Sequence, residues 1–74
     1  MQISYDRKAD ALYIRLQAGK FGRNKEVEEG VILDIGADGA LLGIEILDAS
    51  SRFSLDDIAG VEIKMPLDLV AASR

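Results

Sequence analysis

Four aspartates are the residues of this chain best suited to chemistry. Asp6 and Asp10, and then Asp34 and Asp38, occur in two segments that share the pattern Asp-x-x-Ala-Asp. Paired carboxylates can transfer protons in general acid–base reactions, or bind Mg²⁺ or Ca²⁺ through their oxygens. Aspartate in a turn more often accepts hydrogen bonds from nearby backbone amides, and neither segment has the ligand spacing of a calcium loop. A carboxylate-based divalent-metal binder or enzyme is therefore kept only as an alternative.

Other routes to catalysis are missing from the sequence. The chain contains no Cys and no His, so it lacks the best nucleophile, the best general base and the common zinc ligands. None of its serines lies in a Gly-x-Ser-x-Gly elbow, and no glycine-rich loop is placed to bind a phosphate. We expect no enzymatic activity, no catalytic residue, no metal site and no cofactor.

Size and composition point to self-association. A chain of 74 residues makes one domain, and 49% of these residues are hydrophobic. A domain of this size buries only about 60% of the surface that its unfolded chain exposes. Small domains compensate with disulfides, a metal or oligomerisation, and the absence of Cys and His leaves oligomerisation. The sequence therefore predicts a homo-oligomer, most simply a homodimer.

The charge of the chain limits its partners. The formal net charge is −4 and the pI is about 4.6, which argues against a cation-rich surface that would bind nucleic acid directly. No apolar stretch reaches the roughly 20 residues of a membrane span, and the first residues do not resemble a secretory signal. We expect an acidic cytoplasmic protein without a membrane or nucleic-acid partner.

Turn residues and apolar alternation predict an α+β fold. Both Asp-x-x-Ala-Asp segments are interpreted as hairpin connections. The predicted strands are residues 2–5, 11–17, 31–35 and 40–47, and the polar residues 24–29 are predicted to form an exposed edge segment that discourages aggregation. We predict a single domain over 1–74: a four-stranded antiparallel meander and a short helix within 1–58, then a variable C-terminal segment over 59–74.

The helix is predicted at 54–59, with Ser54 as N-cap and Gly60 at its end. Residues 61–65 are a candidate additional strand, and residues 67–72 a candidate helical turn.

The central hairpin carries apolar residues on both faces. Leu42, Ile44 and Ile46 line one face, which the helix can cover, whereas Ile32, Leu41 and Leu47 line the other. We expect a second copy of the chain to cover that second face, with Arg15 and Glu45 pairing across strands within or between chains. The predicted interface residues are Tyr13, Arg15, Ile32, Leu41, Glu45 and Leu47.

Three stretches carry a resemblance to a known family. Residues 5–16, Tyr-Asp-Arg-Lys-Ala-Asp-Ala-Leu-Tyr-Ile-Arg-Leu, resemble the opening motif of the bacterial small-protein family called domain of unknown function 2283. Residues 30–34, the Asp38-Gly39 turn and residues 42–50 resemble its second signature. The family has no established activity, so the resemblance implies no site residue. Some members lie beside genes for small toxin-like proteins, which implies an alternative role as an antitoxin-like regulator that neutralises a small basic toxin.

Overall fold

The computed structural model describes residues 1–66, and these form five strands and two short helices. The strands are β1 (Gln2–Asp6), β2 (Ala11–Arg15), β3 (Phe21–Glu28), β4 (Val31–Gly36) and β5 (Leu41–Ile46). The helices are α1 (Ala49–Arg52) and α2 (Leu55–Ala59). No helix in this part of the chain is long and apolar enough to cross a membrane.

The strands form one antiparallel sheet in the order β1-β2-β5-β4-β3. The α+β class is consistent with this, but the predicted count of four strands was wrong, and the sheet is not a simple meander because β2 pairs with β5. The reason lies in the composition of the strands. The largely apolar β5 takes the centre, where Leu42 is buried, whereas the polar β3 is exposed along its whole length and takes an edge.

The two Asp-x-x-Ala-Asp segments fold differently. Asp6 starts the β1–β2 turn, and its Oδ1 accepts the amides of Lys8 at 2.9 Å and Ala9 at 3.3 Å. Asp34 instead lies inside β4, and only the end of the second segment forms a turn, where Asp38 Oδ1 accepts the amide of Ala40 at 3.0 Å. Both hairpins exist as predicted, but the shared pattern serves two local structures.

The register divides the sheet into two faces, because residues paired across antiparallel strands share a face. We call apolar face the side that carries Ile3, Leu12, Ile14, Val31, Leu33, Ile44 and Ile46. We call polar face the side that carries Ser4, Tyr13, Arg15, Ile32, Asp34, Gly43 and Glu45. The register between β4 and β5 shifts between Asp34 and Ile35, and Ile35 pairs with Leu41. The regular alternation of side chains between the two faces stops there.

The predicted helix is confirmed as α2. Ser54 is its N-cap and accepts the amide of Asp57 at 3.1 Å, and Gly60 is its C-cap. The helix α1 was not predicted, and it begins after Asp48, whose φ is 52°. The candidate strand at 61–65 is not formed within the described chain, and the candidate helical turn at 67–72 lies outside the described residues.

Arg52 fastens α1 to the sheet. Its Nε donates to the carbonyl of Leu47 at 2.9 Å, and its Nη2 donates to the carbonyl of Glu29 in the β3–β4 turn. Gly30 makes this approach feasible, because a Cβ there would lie 2.6 Å from Arg52 Nη2, and its φ of 77° suits glycine. Arg52 thus anchors the helix to the sheet and to the β3–β4 turn.

The interior of this fold is thin. Among residues 1–66, the buried hydrophobic side chains are Leu12, Leu42 and Ala49, and Leu12 and Leu42 keep 8% of their surface exposed. Neither α1 nor α2 is long, and α2 buries none of its residues. Hydrophobic burial stabilises a fold in proportion to the apolar area that it removes from water. Within residues 1–66 of one copy, few side chains therefore contribute fully to this stabilisation.

We predict that Arg52→Ala lowers the free energy of unfolding by about 1 kcal/mol, because two backbone carbonyls lose a charged donor. Urea unfolding followed by circular dichroism measures this change. The matched control is Arg23→Ala on the exposed edge strand β3, which we expect to change stability by less than about 0.5 kcal/mol. Equal effects of the two substitutions would contradict the anchoring role of Arg52.

Candidate functional site

The Asp10 carboxylate joins the first hairpin to α1. Its Oδ1 accepts the hydroxyl of Tyr5 at 2.7 Å and the amide of Ser50 at 3.0 Å, and its Oδ2 accepts the hydroxyl of Ser50 at 2.7 Å. Its carbonyl accepts the amide of Ala49 at 3.0 Å. We call Tyr5, Asp10 and Ser50 the Asp10 cluster. It caps the start of a helix that has no side-chain cap of its own from Asp48.

Hydrogen bonding sets the protonation of the Asp10 cluster. The hydroxyl of Tyr5, then that of Ser50 and the Ser50 amide, donate to the carboxylate and hold the pKa of Asp10 below its ordinary value of 3.8. The same bond from Tyr5 to the carboxylate raises the pKa of Tyr5 above 10.0. At neutral pH the cluster is thus a carboxylate held by two hydroxyl groups and an amide. This arrangement stabilises the charged form of the Asp10 carboxylate and disfavours its protonation.

A second polar contact crosses the polar face. The hydroxyl of Tyr13 on β2 donates to Asp34 Oδ2 on β4 at 2.9 Å, passing over Gly43 on the intervening β5. A Cβ at position 43 would lie 2.3 Å from the Tyr13 hydroxyl, so only glycine leaves room for this contact. The bond to Asp34, followed by partial burial, raises the pKa of Tyr13 above 10.0. We call these three residues the Tyr13–Asp34 bridge.

The four candidate aspartates therefore act as hydrogen-bond acceptors within the fold. Asp6 and Asp38 accept amides of their own turns, whereas Asp10 and Asp34 accept tyrosine hydroxyls. Among residues 1–66, no three acidic side chains come together in a group that could hold a metal ion. The geometry favours the structural interpretation of both aspartate pairs.

Three of the six predicted interface residues lie side by side. Tyr13 is opposite Glu45, which is opposite Ile32, and all three are half-buried on the polar face. Arg15 is exposed opposite Gly43, Leu41 is exposed and Leu47 is half-buried. Within residues 1–66 the one ion pair is Lys64–Glu62 at 3.8 Å, so Arg15 and Glu45 form no pair inside one chain. Their role at an interface stays a prediction.

An apolar groove lies between the sheet and residues 49–61, which contain α1 and α2 and which we call the helical segment. Its volume is about 220 Å³, and apart from Asp57 its lining is apolar. The sheet supplies three residues of the apolar face, and the helical segment supplies the other wall. The apolar lining residues are Ile3, Leu12, Ile14, Phe53, Ile58 and Val61. The groove shows that the helical segment stands over β1 and β2 without closing against them.

Sequence reasoning missed the two polar contacts that organise the surface. The bond between Asp10 and Ser50 joins residues 40 apart in the chain, and local patterns carry no signal for it. Gly43 did carry a signal, since glycine inside a strand often marks the close approach of another group. Together with Tyr13 on a neighbouring strand, it could have indicated the bridge to Asp34.

Comparison with known proteins identifies the family. Residues 2–50 match the family described as "Protein of unknown function (DUF2283)". This match covers more than half of the chain, so the chain belongs to that family, and the resemblance noted in its motifs is confirmed.

One curated relative and the solved structures complete the comparison. A Methanosarcina mazei protein named "Putative hypoxanthine phosphoribosyltransferase" is 41% identical to the chain in an alignment 56 residues long that covers 69% of this chain. The chain spans 41% of the length of that relative. No solved structure matches the chain.

We predict that Asp10→Asn destabilises the protein at pH 7 and flattens its acid response. Because folding lowers the pKa of Asp10 below 3.8, the contribution of its charge is fully present above about pH 4 and is lost as the pH falls through the lowered pKa. Urea midpoints measured between about pH 2 and 7 test this. Asp6→Asn, which leaves the Asp10 cluster intact, controls for the loss of one charge. Parallel pH profiles for wild type and Asp10→Asn would contradict the assignment.

We predict that Gly43→Ala breaks the Tyr13–Asp34 bridge. The new Cβ displaces the Tyr13 ring, so the pKa of Tyr13 falls towards 10.0 and stability drops by about 1–3 kcal/mol. Tyrosine ¹³Cζ shifts across a pH titration report the pKa, and urea unfolding reports the stability. In a Tyr13→Phe background the same glycine substitution should cost less, because the hydroxyl is gone. An equal cost in both backgrounds would refute the contact.

Proposed function

We propose that this chain, as a member of the DUF2283 family, is a protein–protein interaction domain that works as a homodimer. The observation that carries the proposal is the thin interior of residues 1–66, in which Leu12, Leu42 and Ala49 are the buried hydrophobic residues. Conformational entropy opposes folding by about 1–2 kcal/mol for each ordered residue, and burial has to offset it. A second copy supplies burial that one chain lacks.

The apolar face is the surface that we assign to the dimer. The helical segment stands over its β1–β2 side, where it shares a groove with Ile3, Leu12 and Ile14. The other side of this face carries Val31 and Leu33 on β4, both half-buried. Apolar side chains in the middle of a sheet gain most when a second layer covers them.

The polar face, where the sequence predicted the interface, is the weaker candidate in the structure. It carries Asp34, Glu45 and Arg15, and the Tyr13 hydroxyl is already bonded to Asp34. Burying such charges under a partner costs several kcal/mol for each ion unless good partners are supplied. Ile32 is the one aliphatic residue among those that define this face.

Pairing through the β3 edge is also disfavoured. This strand carries Arg23, Lys25, Glu26 and Glu28, and its register with β4 shifts twice. Charged side chains and bulges are the means by which natural edge strands avoid joining other sheets. The arrangement agrees with the edge role predicted from the Glu-rich segment.

We propose binding rather than catalysis as the role of the domain. The aspartates that could have done chemistry are held by turn amides and tyrosine hydroxyls. The M. mazei relative is more than twice as long as the matched region, so the activity in its name is no part of this proposal.

We predict that the wild-type chain sediments with twice the 8.0 kDa mass of one copy. Leu33→Gln and Ile32→Gln form a matched pair, since they are neighbours on β4 that face opposite sides and are both half-buried. We expect Leu33→Gln to weaken the dimer at least about 10-fold through lost apolar burial. Ile32→Gln should leave the dimer nearly unchanged. Circular dichroism checks that both variants remain folded.

Two outcomes would overturn this assignment. A wild-type chain that stays monomeric at about 100 μM forms no dimer with a Kd in the micromolar range or tighter. A dimer that is weakened by Ile32→Gln but not by Leu33→Gln would indicate that the interface lies on the polar face. A folded monomer that gains stability only with a small basic protein would instead favour the regulator of a basic toxin.

A further inference from the structure

The two edges of the sheet differ in how they are protected. The β3 edge is charged and bulged, as described above. The β1 edge has an unbroken register from Gln2 to Asp6, and Asp6 is its one charged residue. Its Ile3 is 36% exposed, and no other strand of the described chain pairs with its outer side. A regular edge with few charges is a template for pairing with another strand.

A strand-like segment without a partner lies in the same part of the molecule. Residues 61–66, which we call the arm, belong to no helix or strand, and their apolar side chains alternate with Glu62 and Lys64 along the sequence. The exposed fractions are 53% for Val61, 68% for Ile63 and 54% for Met65. A period of two with every apolar side chain left in water is typical of a strand whose sheet is missing.

We propose that the arm of each copy adds to the β1 edge of the second copy in the homodimer, as an exchanged sixth strand. This inference rests on the proposed homodimer and names the segment that joins the copies. The alternating pattern of the arm matches that of β1, so Val61, Ile63 and Met65 extend the apolar face next to Ile3. The polar residues Glu62 and Lys64 then extend the polar face next to Ser4.

The position of the arm favours the edge of the second copy over its own. The arm starts at Val61, which lines the groove on the apolar face together with Ile3, and so lies over the sheet rather than beside it. Within residues 1–66, its own β1 edge stays unpaired. If the second copy packs on the apolar face, the arm begins at the interface between the copies. Six extended residues span about 20 Å, which exceeds the spacing of about 10 Å between packed sheets.

Engineered cysteines test this pairing directly, because the natural chain has no Cys that could interfere. One chain carries Ser4→Cys and a second, mass-labelled chain carries Lys64→Cys, and the two are mixed and oxidised. Disulfides require Cα atoms within about 4.4–6.8 Å, so only neighbouring strands react efficiently. We expect the mixed disulfide as the main product. Lys8→Cys in place of Lys64→Cys is the control for random collision, and it should give little product.

Three products would overturn the exchange. The first is a disulfide between two Ser4→Cys chains that forms in higher yield than the mixed disulfide, which would mean that two β1 edges pair with each other. The second is an intramolecular disulfide in a chain carrying both substitutions, with no intermolecular product. The third is a mixed product no more abundant than the control.

A second measurement separates the arm from the dimer as a whole. Ile63→Asp removes an apolar contact in both arms, and we expect it to weaken the dimer by about 100-fold in sedimentation equilibrium. Glu62→Gln, on the polar side of the same arm, should change the affinity by less than about 3-fold. A dimer that tolerates Ile63→Asp refutes the exchanged arm and leaves the homodimer standing. A monomeric wild-type chain refutes both.

Discussion

The structure depends on one constraint: residues 1–66 form a single sheet with one apolar face and do not themselves bury that face completely. Five strands place Ile14, Leu33 and Ile44 in adjacent positions on the same side. The helical segment is short, and α2 buries none of its residues. Because a sheet needs a second layer to exclude water, the open part of the face and the exposed arm have the same physical cause. The proposed homodimer and the proposed exchanged strand would both cover this exposed apolar surface.

Polar contacts position α1 on the sheet, whereas hydrophobic packing would do so in a larger domain. The Asp10 cluster fixes the start of α1, and Arg52 fixes its end to the β3–β4 turn. Each hydrogen bond of this kind contributes only about 0.5–1.5 kcal/mol net. Such contacts determine where the helical segment sits, but they do not replace a core. They explain why the motif residues of this chain have structural roles although their types suit catalysis.

Much of the architecture was predictable from local patterns. The Asp and Gly turns located both hairpins, the Ser54 cap located α2, and the charges of 24–29 identified an edge strand. The strand count and the pairing of β2 with β5 were not predictable in the same way, because strand order depends on the pairing of segments that are distant in the sequence. The candidate site was the least predictable part. Contacts such as Asp10 to Ser50 join distant segments and leave no periodic trace in the sequence.

The central claim is that folding and association of this domain are coupled, and the dependence of stability on protein concentration tests it most directly. Urea unfolding is followed at protein concentrations that span a 100-fold range. If the native state is a dimer, the apparent stability rises by about 2.7 kcal/mol across that range by mass action. The account predicts this rise together with a midpoint that moves to higher urea. A midpoint that is independent of protein concentration would show that one chain folds alone, and would contradict the account.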